Sequence, residues 1–355
     1  MSVLLDSIYA KVEALRVPLH ILLELTQACN ENCIHCYIKG AKDRLSFSKD
    51  KKELSLGRII GLLDELQREG ALNLTLSGGE AILRNDFFEI AKAARQRNFA
   101  LALFSNGQLI DKENADRLKE IMPVCVYFSV YGKDASTHDR ITRLEGSFKK
   151  LFSAIELLRQ RGVKIGLKTV VMKENFTQLK EVFELGKYFG AEAHQFTEEI
   201  TTRIDGTCPG PCQIDGCSLY DYYKGDIPQP REYIEELKKE EALRKPLCAA
   251  AASGACISAY GDVYPCAELR VPLGNVKYAS FADIWRKEEG FLEEFLETRE
   301  YGDLPECRQC DLISFCRRCP GRAFYETGDW RGCYEHARER ALLSKRINEE
   351  LAFRR

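Results

Sequence analysis

Cys29, Cys33 and Cys36 stand at the spacing C-x3-C-x2-C, directly after the apolar run of residues 19–25. A cubane [4Fe–4S] cluster takes four protein thiolates when fully ligated, so three leave one iron open. A small molecule can bind that iron, which points to chemistry rather than electron storage. A second set lies toward the C-terminus: Cys248-x7-Cys256-x9-Cys266, then Cys307-x2-Cys310-x5-Cys316-x2-Cys319, and finally Cys333. Eight thiolates suffice for two further clusters. C-x2-C pairs are also typical zinc ligands, so a pair of zinc sites stays open on spacing alone.

The chain has 355 residues and fifteen cysteines. In a secreted protein that number would suggest disulfides with one thiol left over; in a cytoplasmic one it suggests metal or redox chemistry. Clustering at short spacings favours the second. Residues 1–16 mix Asp6, Lys11, Glu13 and Arg16 with apolar residues and lack the apolar core and cleavage site of a signal peptide. The default compartment is the cytoplasm. A formal charge of −2 creates no field to attract nucleic acid or an acidic membrane. The apolar runs are strand-length, so no membrane span is expected.

Elements must now place these residues. Strand-like runs occupy 19–25, 72–76, 100–104, 124–130, 164–171 and 191–196. Helical patterns lie between them, such as Ile59, Ile60, Leu63 and Leu66, or Phe152, Ile155 and Leu158. Alternating strand and helix predict an α/β fold with a parallel sheet. Right-handed crossovers curl six such units into a partial (β/α)6 TIM-like barrel; a doubly wound sheet is the structural alternative. The barrel is expected over 1–200, with a loop and linker helix over 201–247. A small cysteine-rich iron–sulfur domain follows over 248–340, held together by its metal clusters, and then a charged helical tail over 341–355.

Parallel sheets bind ligands at the carboxyl ends of their strands. Five polar groups fall there besides Cys29. They are Ser77-Gly78-Gly79-Glu80 after strand 2, Ser105-Asn106-Gly107 after strand 3, Ser129 on strand 4, Lys168 on strand 5, and Glu198-Glu199 after strand 6. The glycines suit a close approach of backbone to ligand. Lys168, Glu198 and Glu199 are the candidates to move a proton; a solvated rim is the alternative for all three. Cys208, Cys212 and Cys217 lie in a Pro/Gly-rich stretch and could be loop thiols, a disulfide pair or ligands to a further metal. Cys125 reads as a buried apolar residue.

The cysteine motif after a first strand, followed by Gly-Gly-Glu after a second, resembles the radical S-adenosylmethionine (SAM) enzymes. The resemblance implies that Cys29, Cys33 and Cys36 hold the SAM-binding cluster and that His35 lies near the adenine. It further implies that Ser77 to Glu80 contact the methionine amino group, that Ser129 contacts the ribose, and that Asn106 belongs to the same site. The segment from His138-Asp139 to Gly146-Ser147-Phe148 resembles one shared by peptide-modifying members, where an arginine follows the histidine by four residues. Thr142 stands there in this chain. Arg143, next along, is taken as the partner of the SAM carboxylate.

The C-terminal cysteines, with Gly261 in a G-x4-C arrangement, resemble the SPASM domain of such enzymes. One departure is x2 rather than x3 before Cys319. The resemblance implies an interleaved ligand set: auxiliary cluster I on Cys248, Cys256, Cys266 and Cys319, and auxiliary cluster II on Cys307, Cys310, Cys316 and Cys333. Cofactors would then be three [4Fe–4S] clusters and SAM. The implied partners are a peptide or protein substrate and an external electron donor such as flavodoxin or ferredoxin. The implied reaction is hydrogen abstraction that installs a thioether, a carbon crosslink or another oxidation in a ribosomally made peptide. Maturation of a partner enzyme and cofactor biosynthesis are the enzyme alternatives. A multi-cluster electron carrier is the non-enzyme one, and it leaves the strand-end residues without a purpose. With only about 25 residues before the cysteine motif, a substrate is expected to bind the barrel and cluster domain directly.

Overall fold

The computed structural model describes residues 3–38, 52–205, 207, 210–224, 236–287 and 289–352. Six parallel strands run in sequence order: β1 (His20–Glu24), β2 (Asn73–Ser77), β3 (Ala100–Ser105), β4 (Cys125–Ser129), β5 (Ile165–Val170) and β6 (His194–Thr197). β6 does not return to β1, so the barrel is open, as six βα units imply.

The helices follow from the sequence pattern. Helix α1 (Val3–Ala14), absent from the sequence reading, precedes β1. Ser55 caps α2 (Leu56–Arg68), which buries Ile59, Leu62, Leu63 and Leu66. Next come α3 (Phe87–Gln96) and α4 (Lys112–Ile121). Two helices, α5 (Ala135–Thr142) and α6 (Ser147–Gln160), link β4 to β5, and α7 (Leu179–Tyr188) links β5 to β6. The apolar faces of α2, α3, α4, α6 and α7 meet Leu23, Leu74, Leu76, Val126, Phe128 and Leu167 of the strands in one continuous core.

Three expectations are corrected. The sheet is not confined to residues 1–200. β7 (Gly254–Ile257) pairs parallel with β1, and β8 (Asp262–Tyr264) and β9 (Gly274–Asn275) extend the sheet antiparallel to nine strands. The cysteine-rich segment also has an apolar core of its own, built on Leu269, Leu292, Phe295, Tyr301, Leu304, Ile313 and Trp330, with Cys266, Cys310 and Cys316 at its margin. It was legible only as scattered aromatic and leucine positions.

The stretch from 201, read as loop, contains the helix α8 (Gly216–Lys224). Of the linker helix expected around 232–244, the described part is helical over Lys239–Leu243. Finally, the charged tail belongs to a helix, Glu335–Ala352, that docks onto the barrel. Its Ile347 packs with Val171, Leu179, Leu219 and Tyr222, and Tyr220 donates to Glu350 at 2.8 Å.

Candidate active site

The loop after β1 is fixed by backbone hydrogen bonds from the end of β2. Gly79 N donates to Thr26 O at 2.7 Å, and Glu80 N to Ala28 O at 2.8 Å. The two glycines owe their identity to this contact more than to a ligand. A Cβ on Gly78 would lie 2.3 Å from Thr26 O, and one on Gly79 would lie 2.1 Å from Ala28 O. Gly78 also has φ +134°, a conformation costly for other residues. From the other side, Asn32 N and Ile34 N donate to Thr142 O and Ile141 O at the end of α5. Arg203 Nη2 donates to Ile34 O at 3.1 Å.

Glu80 is buried and faces away from open space. It accepts from Asn106 N at 2.7 Å and from Ser105 Oγ at 3.1 Å, joining the ends of β2 and β3. Burial raises its carboxyl pKa to about 7. Asn106 then reaches the cysteine loop, with Nδ2 2.7 Å from Asn30 Oδ1 and 3.8 Å from Cys29 Sγ.

The three cysteines converge. Burial, opposed by a backbone hydrogen bond from Glu31 and reinforced by the Glu80, Glu31 and Cys36 charges, pushes the Cys29 thiol up to about 11. Cys33 is raised further, by burial and then by Glu31, Cys36 and Cys29. Thiolates crowded together need compensating positive charge, which iron supplies. This donor set fits the cluster that the spacing implies.

A cavity of about 350 Å³ opens at the strand ends. It brings together Cys29, Cys33, Cys36, His35, Ser77, Gly78, Gly79, Asn106 and Ser129, and adds Lys168 and Glu199 from beyond. Its size falls in the range of small-molecule sites. The His35 ring meets Tyr131 edge-on, centroids 4.6 Å apart, and Tyr131 stacks on the buried His138. Tyr131 lines the cavity and went unremarked in the sequence, where it reads as one more strand-end aromatic.

Not every expected residue arrives. Arg143 is exposed, adopts φ +55° as the cap of α5 and does not line the cavity. The buried Thr142 takes the inward position, bonded to Ser147 Oγ at 2.7 Å. Glu198 turns away from the cavity and is not a solvated rim residue either. It is buried, accepting from Tyr223 at 2.8 Å and from Arg340 at 3.0 Å. Glu199 lines the cavity, held by Arg340 at 2.9 Å and Tyr334 at 2.8 Å. Nothing in the sequence points to Arg340, because a charged tail offers no cue to what it docks on. Glu268, also missed, enters the cavity wall from the segment after β8 and accepts from Thr201 Oγ1.

The auxiliary cysteines fall into two interleaved groups. Cys266 is raised well above the usual thiol range by burial and then by Cys248 and Cys319. Burial and the charges of Cys307, Cys333 and Cys310 push Cys316 up to about 11. Cys256 lies elsewhere. It is wholly buried in β7, beside Leu22 in register, and its thiol interacts with Tyr37 and Arg270. Strand pairing, not loop position, decides its direction, since neighbours in register share a face of the sheet. Arg270 ion-pairs with Glu24, which also accepts from Tyr37 at 2.8 Å.

Cys212 is buried with Tyr131, Ile141, Met172 and Ile200, whereas Cys217 is exposed on α8. Cys208 lies outside the described residues. Cys125 is buried in β4, as expected.

The sequence matches the radical SAM superfamily over residues 23–186 and an iron–sulfur cluster-binding domain, SPASM, over residues 248–320. It is 29% identical over 338 residues to the AdoMet-dependent heme synthase of Methanosarcina barkeri, covering 88% of this chain and 94% of that protein. It is also 29% identical over 322 residues to the mycofactocin maturase MftC of Mycolicibacterium smegmatis, covering 85% and 78%. Among solved structures, Streptococcus suis SuiB bound to its precursor peptide SuiA superposes with a TM-score of 0.64 at 15% identity, over 91% of this chain and 77% of that one.

Proposed function

Because the chain belongs to the radical SAM superfamily and carries an SPASM domain, we propose that it abstracts a hydrogen atom from a peptide or protein substrate held in the cavity described above. Cys29, Cys33 and Cys36 would hold the cluster, which would supply the one electron needed to cleave SAM into methionine and the 5′-deoxyadenosyl radical that takes the substrate hydrogen. The residues of the chain position and enclose that chemistry. Gly78 and Gly79 keep the cysteine loop against β2, Asn106 steadies it, and His35 with Tyr131 provides an aromatic wall.

Cys248, Cys266 and Cys319, and separately Cys307, Cys310, Cys316 and Cys333, would hold two auxiliary clusters able to accept the electron of a substrate radical. The product would then be a thioether, a carbon crosslink or another oxidation. An external flavodoxin or ferredoxin would supply the reducing electron. The cytoplasm is the compartment this reading requires, since its thiols stay reduced. No helix among the described residues is long and apolar enough to cross a membrane.

One observation carries the reading. A single cavity is lined both by the three-cysteine loop and by Ala267 and Glu268, next to auxiliary Cys266. A substrate there would lie against the three-cysteine loop and beside the two residues that follow Cys266. The likeness to a peptide maturase supports a peptide. A second reading, cofactor biosynthesis, is favoured by the similarity to heme synthase, which spans 94% of that protein.

Anaerobic reconstitution tests the first step. Protein with three cubane clusters should hold about twelve irons and release 5′-deoxyadenosine from SAM on reduction. Cluster-replete protein that releases none, or a Cys33→Ala variant that still does, would overturn it. Mass spectrometry of a co-expressed neighbouring peptide separates the two readings: a mass change supports the peptide, an unchanged peptide the cofactor.

A further inference from the structure

Lys168 projects from β5 into the cavity wall, one strand from Ser129 and in register with it. Among the described residues that line the cavity it is the only lysine or arginine. Its Nζ sits 3.9 Å from the centroid of the Phe104 ring. That contact offsets only part of the cost of holding an ammonium away from water.

Two of the cavity's carboxylates are engaged elsewhere: Glu199 is held by Arg340 and Tyr334, and Glu268 accepts from Thr201. Glu31 stands at the cysteine loop, beside Cys33. Among the described residues Lys168 has no ion-pair partner. Burial alone lowers its pKa, with no neighbouring charge contributing. Meanwhile Arg143, the arginine expected to meet a carboxylate here, lies outside on the cap of α5.

We propose that Lys168 is a carboxylate receptor built into the cavity, left uncompensated by the protein so that a bound ligand completes the ion pair. The proposal rests on the cavity being the place where SAM and substrate meet. Two molecules could bring the acid: SAM through its aminocarboxylate tail, and a peptide through an aspartyl or glutamyl side chain. A charge-assisted hydrogen bond in a dry site distinguishes an acid sharply from its neutral isostere. Lys168 therefore sets what the cavity admits, apart from any role in moving a proton.

The test uses the full chain loaded anaerobically with iron–sulfur clusters. Binding is measured by calorimetry for two matched pairs: SAM against decarboxylated SAM, and, with SAM saturating, N-acetyl-aspartate amide against N-acetyl-asparagine amide. In Lys168→Met, one acid should bind about tenfold more weakly or worse, with its neutral counterpart within about twofold, a difference above 1.4 kcal/mol. Lys168→Arg should retain most of the affinity.

Loss confined to SAM assigns the receptor to the cofactor tail. Loss confined to the aspartyl probe assigns it to the substrate. Acid and neutral ligands that weaken together, or neither weakening, would overturn the proposal. Lys168→Gln serves if the methionine variant does not retain its iron. Release of 5′-deoxyadenosine by the unaltered enzyme is scored separately, so failure of the radical reading and failure of the receptor remain distinct outcomes.

Discussion

Asn106 Nδ2 lies 2.7 Å from Asn30 Oδ1, so the end of β3 grips the loop that carries all three cluster cysteines. Asn106 is itself placed by Glu80, through its backbone N–H. Order at the cysteines is thus inherited from two strand ends. Asn106→Leu would leave Asn30 unpaired, at a cost of about 1–2 kcal/mol. The expected result is near-normal iron content with release of 5′-deoxyadenosine slowed roughly tenfold, read by anaerobic single-turnover assay.

Gly79→Ala should be far more damaging than its size suggests. The added Cβ would sit 2.1 Å from Ala28 O, against backbone that cannot yield without moving the cysteine loop. Gly162→Ala is a useful contrast. That glycine, unlike Gly79, has a positive φ of +70°, but nothing lies within 4 Å of its Cβ position. Thermal melts should show a penalty of about 1–2 kcal/mol for Gly162→Ala and more than about 3 kcal/mol for Gly79→Ala. SAM binding should be lost only in the latter.

Arg340→Met removes the partner of two carboxylates, the buried Glu198 and the mostly buried Glu199. Breaking a buried pair from one side costs about 3–5 kcal/mol, because the remaining charge is stranded. Denaturant unfolding should report that loss. Adding Glu198→Gln to the variant should recover part of it. Failure of the second substitution to recover any stability would mean that Arg340 acts through packing alone.

His138 offers a pH signature. Burial lowers its pKa from 6.5 to about 4, so the folded chain keeps the ring neutral. Above pH 6.5 both folded and unfolded chains hold it neutral, and its contribution is complete. As pH falls below 6.5 the unfolded chain takes up a proton first, and stability is lost until about pH 4. The shift amounts to about 3 kcal/mol at most. Stability of the wild type minus that of His138→Asn, measured from pH 7.5 to 4.5, should shrink by a large part of that figure. A difference independent of pH would contradict it.

Cys256→Ala and Cys266→Ala should differ sharply in iron content. Cys266 sits with Cys248 and Cys319, whereas Cys256 faces Tyr37 and Arg270. Iron analysis after reconstitution should find the Cys256 variant near the wild-type value and the Cys266 variant short by about four irons.

Much of this was legible in the chain itself. The six parallel strands announce themselves through short apolar runs, and the strand-end residues Ser77, Gly78, Gly79, Asn106 and Ser129 meet where parallel-sheet geometry sends them. What escaped depends on tertiary pairing. β7 reads as a segment among cysteines until β1 accepts it, which is why Cys256 was grouped with its sequence neighbours. Glu198 and Glu199 are adjacent in sequence, yet one serves the terminal helix and the other the cavity. Arg143 follows a local motif by one position, and that position is the left-handed cap of α5, outside the helix.

The interleaving of the auxiliary cysteines bears on how the protein is made. Cys248 and Cys266 leave the ribosome well before Cys319, and Cys307, Cys310 and Cys316 emerge in between. On the proposed assignment neither group can close until residues 319–333 have been synthesised, and the helix that anchors Glu198 and Glu199 follows at once. Iron delivery to both groups would therefore wait for that stretch. A chain stopped before Cys319 would carry thiols for both auxiliary sites and complete neither, a property that pulse labelling with radioactive iron on stalled chains would reveal.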